Sequence, residues 1–338
     1  MITLVTGATG GLGRNAVEYL LQRGLPVRAT GRNPAQGEAL RALGVDFVPA
    51  DLATLDAAQA RALLRGVGTV WHCAALSSPW GASADFHAAN VAATERLADA
   101  AIAAGVERFV HVSTPSLYFD YRHHLDIPES YRPARYANHY ARTKALAEAA
   151  IRLRAGNQAA TAFVMLRPRA LFGPHDRVLM PRVLALMAQR RGKLPLPRAG
   201  EVLMDLTFTP NVVHAMQLAS TSAQVASGHA YNITNHEPRR LCQVLGQLLG
   251  DELGQPPRLR RLPYALADGV ARGMEAWSAL SRREPAFTRY GMGVLHYDMT
   301  LDNTQAIAAL GYRPAYTMDE GIRLTAQWMR DHGQYHHL

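Results

Sequence analysis

Two residue types are nearly missing from this 338-residue chain. Cysteine occurs twice, as Cys73 and Cys242, far apart and each in an apolar context. That excludes a disulfide framework and suits a reducing compartment. Lysine also occurs only twice, as Lys144 and Lys193, among 36 Lys plus Arg. Arg supplies every other cation, so Lys144 stands out. No apolar run reaches membrane-spanning length, and no segment is repetitive or of low complexity. The chain enters an apolar run at once (MITLVTG), which leaves no room for a signal peptide and makes a cytoplasmic protein the expectation.

Clustered charge is also scarce. The formal net charge is +9, yet the cations bunch only at Arg190–Arg191, Arg239–Arg240, Arg258 with Arg260–Arg261, and Arg282–Arg283. None of these forms a basic tail or alternates with aromatics, as single-strand binding requires. They are expected at solvated helix ends, and nucleic acid is not an expected partner. An anionic cofactor or substrate accounts for part of the excess. Hydrophobic residues make up 48%, enough for a sizeable core, and the length allows one large α/β domain with an appended lobe, or two domains. The histidines, including His123–His124 and His336–His337, show no ligand spacing with partner acids, so no metal is expected.

What is present begins with alternation. Apolar runs at Ile2–Thr6, Val27–Thr30, Asp46–Pro49, Thr69–Cys73 and Phe109–Ser113 read as strands. Helical patterns lie between them at Gly11–Arg23 and around 35–43, 55–64 and 84–104. Repeated βα units with short links predict a doubly wound parallel sheet of Rossmann type, covered by helices on both faces. A helix over 138–155 and a strand at Ala162–Leu166 follow. Beyond 166 the pattern becomes irregular and rich in Pro and Gly, with helices expected at 178–190, 211–222, 238–249, 263–281 and 318–331. The division expected is a nucleotide-binding domain over 1–166 and a smaller, mainly substrate-binding C-terminal lobe over 167–338, with segments near 205–233 returning to the sheet.

Thr6-Gly7-Ala8-Thr9-Gly10-Gly11-Leu12-Gly13 follows the first strand and opens an amphipathic helix. In that context glycines have distinct tasks. Gly7 makes the tight turn, Gly10 lets amides approach phosphate, and Gly13 lets helix and strand pack closely. A dinucleotide pyrophosphate would rest on the helix N-terminus. Tyr140 and Lys144, in HYARTKALAE, lie four apart and so share a helix face. A free Tyr has a pKa of about 10. Lys144 is expected to lower that of Tyr140 by charge proximity and to bond the nicotinamide ribose. Tyr140 would then move a proton to or from a carbonyl oxygen.

The glycine spacing, with the Tyr–Lys pair behind it, resembles the extended short-chain dehydrogenases/reductases over essentially the whole chain. The resemblance implies cofactor contacts at Thr9, Gly11, Leu12, Asp51, Leu52, Ala74, Ala75 and Arg167, besides Gly7, Gly10, Gly13, Tyr140 and Lys144. It places Asn90 as a support for the active-site backbone and His72 as structural. It seeks a third catalytic hydroxyl in Val112-Ser113-Thr114-Pro115-Ser116-Leu117-Tyr118, and the position four before Tyr118 is Thr114, with Ser113 and Ser116 as competitors. The second strand ends Ala29-Thr30-Gly31-Arg32-Asn33, with no acid for a ribose 2′-hydroxyl. Arg32 offers a cationic fork for a 2′-phosphate instead, so NADP(H) is favoured and NAD(H) remains possible.

Substrate class rests on looser features. Pro115-Ser116 after Thr114 lacks the acidic pair of the dehydratases. Arg167-Pro168-Arg169-Ala170-Leu171-Phe172-Gly173-Pro174 resembles a pocket segment common to sugar and non-sugar branches. Leu76-Ser77-Ser78-Pro79-Trp80-Gly81 and the run Phe287-Thr288-Arg289-Tyr290-Gly291 resemble the 3β-hydroxysteroid dehydrogenase and 2-alkyl-3-oxoalkanoate reductase branch. That implies a ketone or secondary alcohol of an apolar, steroid-like or 3-oxoacyl-type molecule, with Ser78, Trp80, Ser116, Tyr118 and Phe172 near it. Two alternatives stand: a nucleotide-sugar epimerase, and a non-catalytic NADP-binding sensor. The stripe Leu266, Val270, Met274, Trp277 and Leu280 is expected as core packing, or else as a lid or membrane-surface contact. Pro210 stands where relatives often carry Asp, which puts local hydrogen bonding in doubt while Asn211 and His214 remain. The helices over 84–104 and 138–155 resemble those of a four-helix homodimer interface.

Overall fold

Seven parallel strands form the centre of the computed structural model, which describes residues 1–157, 160–176, 179–281 and 284–333. Five of them come in chain order: β1 (Ile2–Thr6), β2 (Val27–Gly31), β3 (Asp46–Pro49), β4 (Val67–His72) and β5 (Arg108–Val112). The order across the sheet is His229–Ile233, Ala162–Pro168, β5, β4, β1, β2, β3. The direction of winding reverses between β1 and β4, so the crevice for a ligand opens at their C-terminal ends. Strand His229–Ile233 adds to the sheet edge beside Ala162–Pro168, from far along the chain.

The strands are apolar because both faces are covered. On one face α1 (Gly11–Gln22) and helix Thr209–Thr221 pack with Ala16, Val17, Leu20, Val212, Val213 and Met216 against Val5, Ala29 and Val110. On the other, helices Ala93–Ala103 and His139–Gly156 bring Leu97, Ala101 and Ile151 onto Leu4, Val70, Phe109 and Phe163. The expected helix over 84–104 contains a π-helical turn at His87–Ala92. The wider turn carries buried Asn90, whose side chain accepts from the Leu76 amide at 2.7 Å and donates to the Leu76 carbonyl and to Thr143. A locally unwound helix is a recurrent way to place such a side chain.

Past Pro168 short strands replace the long ones. Arg239–Arg240, Leu203–Met204, Met299–Leu301 and His124–Ile127 form a four-stranded sheet, and Lys193–Pro197 pairs with Arg258–Leu262. Met180, Leu194, Met204, Phe208, Leu245, Leu249, Ile322 and Met329 build a second core there. Asn211 bonds Asn235 and both backbone groups of Tyr316, while Pro210 sits in the first turn of its helix. Arg190–Arg191 follows the end of helix Leu179–Gln189, exposed as expected, but two other Arg clusters differ. Arg239–Arg240 and Arg258–Leu262 are strands, Arg239 pairing with Asp319 and Glu237, and Arg240 with Glu201. Arg282–Arg283 and His336–His337 lie outside the described residues.

The apolar stripe on helix Tyr264–Ser281 is not core. Leu266, Val270 and Trp277 are 59%, 50% and 68% exposed. Burial falls instead on Ala267, Ala271 and Ser278, small residues that let the helix lie close to its neighbours. The side chain of Leu280 is outside the description. Among the described residues, no helix is long and apolar enough to cross a membrane.

Candidate active site

The turn after β1 shows why glycine is required. Gly7 has φ of +64°, and a Cβ there would lie 2.8 Å from the Ala74 amide nitrogen. A Cβ on Gly13 would lie 2.2 Å from the Gly7 carbonyl oxygen, so only glycine lets α1 start against β1. Gly10 caps the helix without a side chain, leaving the N-terminal amides of α1 to an anion. Thr6 holds the neighbouring loop by accepting from the Ala74 amide at 3.1 Å. At the ends of β2 and β3, Gly31, Arg32, Pro49, Ala50 and Asp51 line an open recess. Thr9 packs over Gly31, where a Cβ would meet its Oγ1 at 2.6 Å. Arg32 stands 3.9 Å from Asp51, both exposed, an ion pair too long and wet to hold the guanidinium back from a ligand. Leu52, next to Asp51 in the chain, is buried in the core.

These residues fit a dinucleotide: a cradle that no Cβ could share, open helix amides, and an exposed cationic fork beside the recess.

Tyr140 and Lys144 occupy the first turns of helix His139–Gly156, capped by Asn138, which accepts from the Ala141 amide at 2.8 Å. Tyr140 reaches the crevice partly exposed, near enough to Thr114 for that side chain to oppose the rise of its pKa. Lys144 is buried, and the hydrogen bonds of its Nζ go to β5. Its Nζ donates to the Val112 carbonyl at 2.7 Å and lies 2.8 Å from His111 Nε2. This changes the electrostatics expected from spacing alone. Burial pushes the Tyr140 phenol up to about 12, with Thr114 opposing and Tyr290 reinforcing. Burial pushes Lys144 down to about 7, against the pull of Glu148 and Cys73. His111 is held well below the usual imidazole range by burial and by Lys144. His72 is structural, as expected: buried, 2.8 Å from Thr6 Oγ1 and 3.0 Å from Thr94 Oγ1, and pushed down to about 3 by burial.

The three candidate hydroxyls separate cleanly. Ser113 turns inward and donates to Glu148 at 2.6 Å. Thr114, by contrast, donates to Ser116 Oγ at 3.0 Å and accepts from its amide. Ser116 Oγ also accepts from the Tyr290 hydroxyl at 2.7 Å. Hydrogen bonds therefore join Thr114, Ser116 and Tyr290 in a row, with Tyr140 beside Thr114. Tyr290 comes from the C-terminal region, and only its sequence run, not its role, drew attention beforehand.

Three expected site residues face the core instead. Arg167 is fully buried, paired through Nε with Glu148 at 2.7 Å and also bonded to Tyr118 and the Glu129 carbonyl. Enclosed completely and tied to these partners, it is not placed to hold a cofactor. The Tyr118 hydroxyl, equally buried, donates to Asn232 at 2.9 Å and takes a bond from Arg167. Phe172 packs against Phe208 in the C-terminal core. Ser78 and Trp80 form a local turn, Ser78 Oγ bonding the Trp80 carbonyl at 2.7 Å.

Residues 3–234 match the sequence profile of the NAD dependent epimerase/dehydratase family. The chain is 51% identical to an Escherichia coli protein named Uncharacterized protein YbjS, over 99% of both chains. It is 33% identical to a 2-alkyl-3-oxoalkanoate reductase from Shewanella oneidensis, over 94% of this chain and 84% of that one. Likewise it is 32% identical to 3beta-hydroxysteroid-dehydrogenase/decarboxylase isoform 1 of Arabidopsis thaliana, over 95% of this chain and 78% of the relative. Among solved structures, MoeE5 in complex with UDP-glucose and NAD superposes with a TM-score of 0.77 at 25% identity, over 98% of this chain and 99% of that one. With its glycine turn at the sheet's switch point, this chain belongs to the NAD dependent epimerase/dehydratase family, within the extended short-chain dehydrogenases/reductases.

Proposed function

We propose that the protein moves hydride between a nicotinamide cofactor, NADP(H) by preference, and a ketone or secondary alcohol of an apolar, 3-oxoacyl-type or steroid-like molecule. The hydroxyl row of Tyr140, Thr114 and Ser116 at the crevice carries this reading. The names of the reductase and hydroxysteroid dehydrogenase relatives support it. Gly7, Gly10 and Gly13 would hold the pyrophosphate, and Arg32 with Thr9 the adenosine ribose end. When bound, the cofactor supplies or accepts the hydride. Tyr140 delivers a proton to the carbonyl oxygen, and being held up to about 12 it is in its protonated, donating form at neutral pH. Thr114 positions that oxygen and stabilises its developing charge, with Ser116 locking the Thr114 rotamer. Lys144 anchors the helix to β5.

Thr114→Val keeps the side-chain shape and removes the hydroxyl. It should lower kcat by about 100-fold, by analogy with loss of one oxyanion donor, with KM little changed. Full turnover in NADPH oxidation would remove Thr114 from the reaction. Arg32→Ala should weaken NADPH binding by about 10-fold or more, the value of a charge-assisted contact, and leave NADH binding nearly unchanged. Fluorescence titration with both cofactors checks this, and equal losses for the two would discard the NADP preference.

The nucleotide-sugar reading stands second because MoeE5 carries UDP-glucose on the same fold. UDP-glucose raising Tm while no ketone consumes NADPH would favour it. The proposed reading keeps a cofactor domain over 1–166 and a mainly substrate-binding lobe over 167–338. It also expects a cytoplasmic homodimer formed through helices Ala93–Ala103 and His139–Gly156, the latter carrying exposed Leu146 and Leu153.

A further inference from the structure

His111 is fully buried on β5, and its ring makes a single hydrogen bond. Its Nε2 lies 2.8 Å from Lys144 Nζ, while among the described residues its Nδ1 has no partner. The neighbouring ring, His72, stands 5.2 Å away and is fully committed. Thr94 gives its one hydroxyl proton to the Asn90 carbonyl at 2.8 Å, so His72 Nε2 must donate to Thr94. His72 Nδ1 then accepts from Thr6, whose oxygen already accepts from the Ala74 amide. A buried imidazole with one nitrogen unmet carries a desolvation cost that an apolar side chain would not. What that cost serves is the one bond the ring does make, to Lys144.

The groups around Lys144 set the polarity of that bond. From β4 and the residue after it come His72 and Cys73, from β5 His111, and from its own helix Glu148, one turn on and held by Arg167 of strand Ala162–Pro168. Burial, with Lys144 adding to it, keeps both imidazoles below their usual range, so neither carries charge at neutral pH. Burial likewise pushes the Cys73 thiol up to about 12, in its neutral form. Glu148 stays a carboxylate through Arg167 and favours a cation at Lys144, against the burial that pushes Lys144 down to about 7. Beside an ammonium, a neutral imidazole presents its lone pair. Lys144 therefore has two acceptors on β5, His111 Nε2 and the Val112 carbonyl at 2.7 Å.

We infer that His111 is a positioning residue acting through Lys144: with the Val112 carbonyl it holds two N–H groups of Lys144, keeps that side chain an ammonium inside the core, and leaves one N–H for a hydroxyl of the cofactor. This rests on the proposed reading, in which a nicotinamide cofactor lies in the crevice at the C-terminal ends of the strands. An ammonium is tetrahedral, so fixing two N–H directions fixes the third. Without His111 the Nζ is free to turn about its bond to Val112, and the buried charge loses one of two acceptors. The neutral amine then forms at lower pH, and the charge-assisted bond to the cofactor goes with it.

Lysine is so scarce here that Lys144 can be watched directly. The chain holds only Lys144 and Lys193, and Lys193 is exposed. Full-length protein labelled with ¹³C at the lysine Cε therefore gives two NMR signals, which Lys193→Arg assigns. The Lys144 signal should titrate near neutrality in the wild type. In His111→Leu its midpoint should fall by about one to two pH units, the worth of one hydrogen bond to a charged group. His111→Gln, whose amide oxygen can stand in for Nε2, should restore most of the shift, and covers the case in which the Leu variant fails to fold. Fluorescence titration with NADPH, and with NADH, which has no 2′-phosphate to ionise, gives the second readout. Wild type and His111→Leu should bind cofactor equally at both ends of the pH range, where Lys144 has the same charge in each. Between the two midpoints the variant should bind on the order of 10-fold more weakly, seen in turnover as a higher KM for NADPH at unchanged kcat. A midpoint that stays or rises in the folded variants would overturn the assignment, a rise meaning that a neutral Lys144 accepts from His111. So would equal weakening of cofactor at every pH, the mark of a packing defect. If the midpoint and cofactor affinity move together while no form reduces any carbonyl compound, the hydride-transfer reading fails and the assignment of His111 stands.

Discussion

Tyr140→Phe should lower kcat/KM for carbonyl reduction by about 100- to 10,000-fold, the range for loss of a general acid. That corresponds to about 3–5 kcal/mol of transition-state stabilisation. The substitution removes one oxygen atom and keeps the ring in place. Among the described residues the phenol makes no hydrogen bond on which the fold depends, and Thr114 is held by the Ser116 amide. Stability and NADPH binding should therefore change little, and near-UV circular dichroism with a cofactor titration checks both. The loss should fall on kcat, because the proton is needed only as charge develops on the oxygen. Raising the pH should not mimic it soon. A phenol held up to about 12 stays protonated across the neutral and mildly alkaline range, so reduction keeps its donor there. The reverse reaction requires the phenolate and should gain with each step in pH. Wild-type turnover in Tyr140→Phe would mean that a water or Tyr290 supplies the proton.

The parts of this molecule that sequence made legible share one property: their signals are local. The βα rhythm shows in stretches of five to twelve residues, as β1 and α1 illustrate. The glycine turn is legible because its steric demands arise within eight residues and the adjoining loop. The short strands beyond Pro168 were not legible, since two-residue elements such as Leu203–Met204 exist only through partners as distant as Met299 and Arg240. The same limit divides the candidate site. Tyr140 and Thr114 are legible as a spaced motif, whereas Tyr290 enters by tertiary packing alone. Arg167, Tyr118 and Phe172 were read as lining the crevice because motif position names a residue type and not the side of the sheet it faces. Burial set the role of Phe172 against Phe208, and that of Arg167 through Glu148, an acid inside a helix pattern that looks like an ordinary surface carboxylate until the fold encloses it. The helix stripe at Leu266, Val270 and Trp277 misled in the opposite sense, since apolar periodicity shows a face but not what covers it.

Arg167→Met should cost about 3–5 kcal/mol of folding stability, the usual penalty for stripping the partner from a buried charge. The Glu148 carboxylate left behind is enclosed on all sides and keeps only Ser113 at 2.6 Å and Arg152 at 2.8 Å. Tyr118 and the Glu129 carbonyl lose a donor at the same stroke. These groups join Ala162–Pro168 to helix His139–Gly156, and through Asn232 to strand His229–Ile233, so the damage reaches the bed on which Tyr140 rests. The pH dependence gives a second readout. Burial alone would raise the Glu148 carboxyl, but Arg167, aided by Ser113 and Arg152, holds it down at about 2, against 4.5 for a free glutamate. A carboxyl depressed in the folded state stabilises fully above its unfolded pKa. That contribution, on the order of 3 kcal/mol, is lost as pH falls from about 4.5 toward about 2. Without Arg167 the depression shrinks, so the acid-unfolding midpoint should move to higher pH, as followed by far-UV circular dichroism. Adding Glu148→Leu should recover much of the urea stability lost in Arg167→Met, because apolar groups of similar volume replace a buried ion pair at little cost. A double variant as weak as the single one would show that the pair's bonds to Ser113, Tyr118 and Glu129, and not the stranded carboxylate, carry the stability of this core.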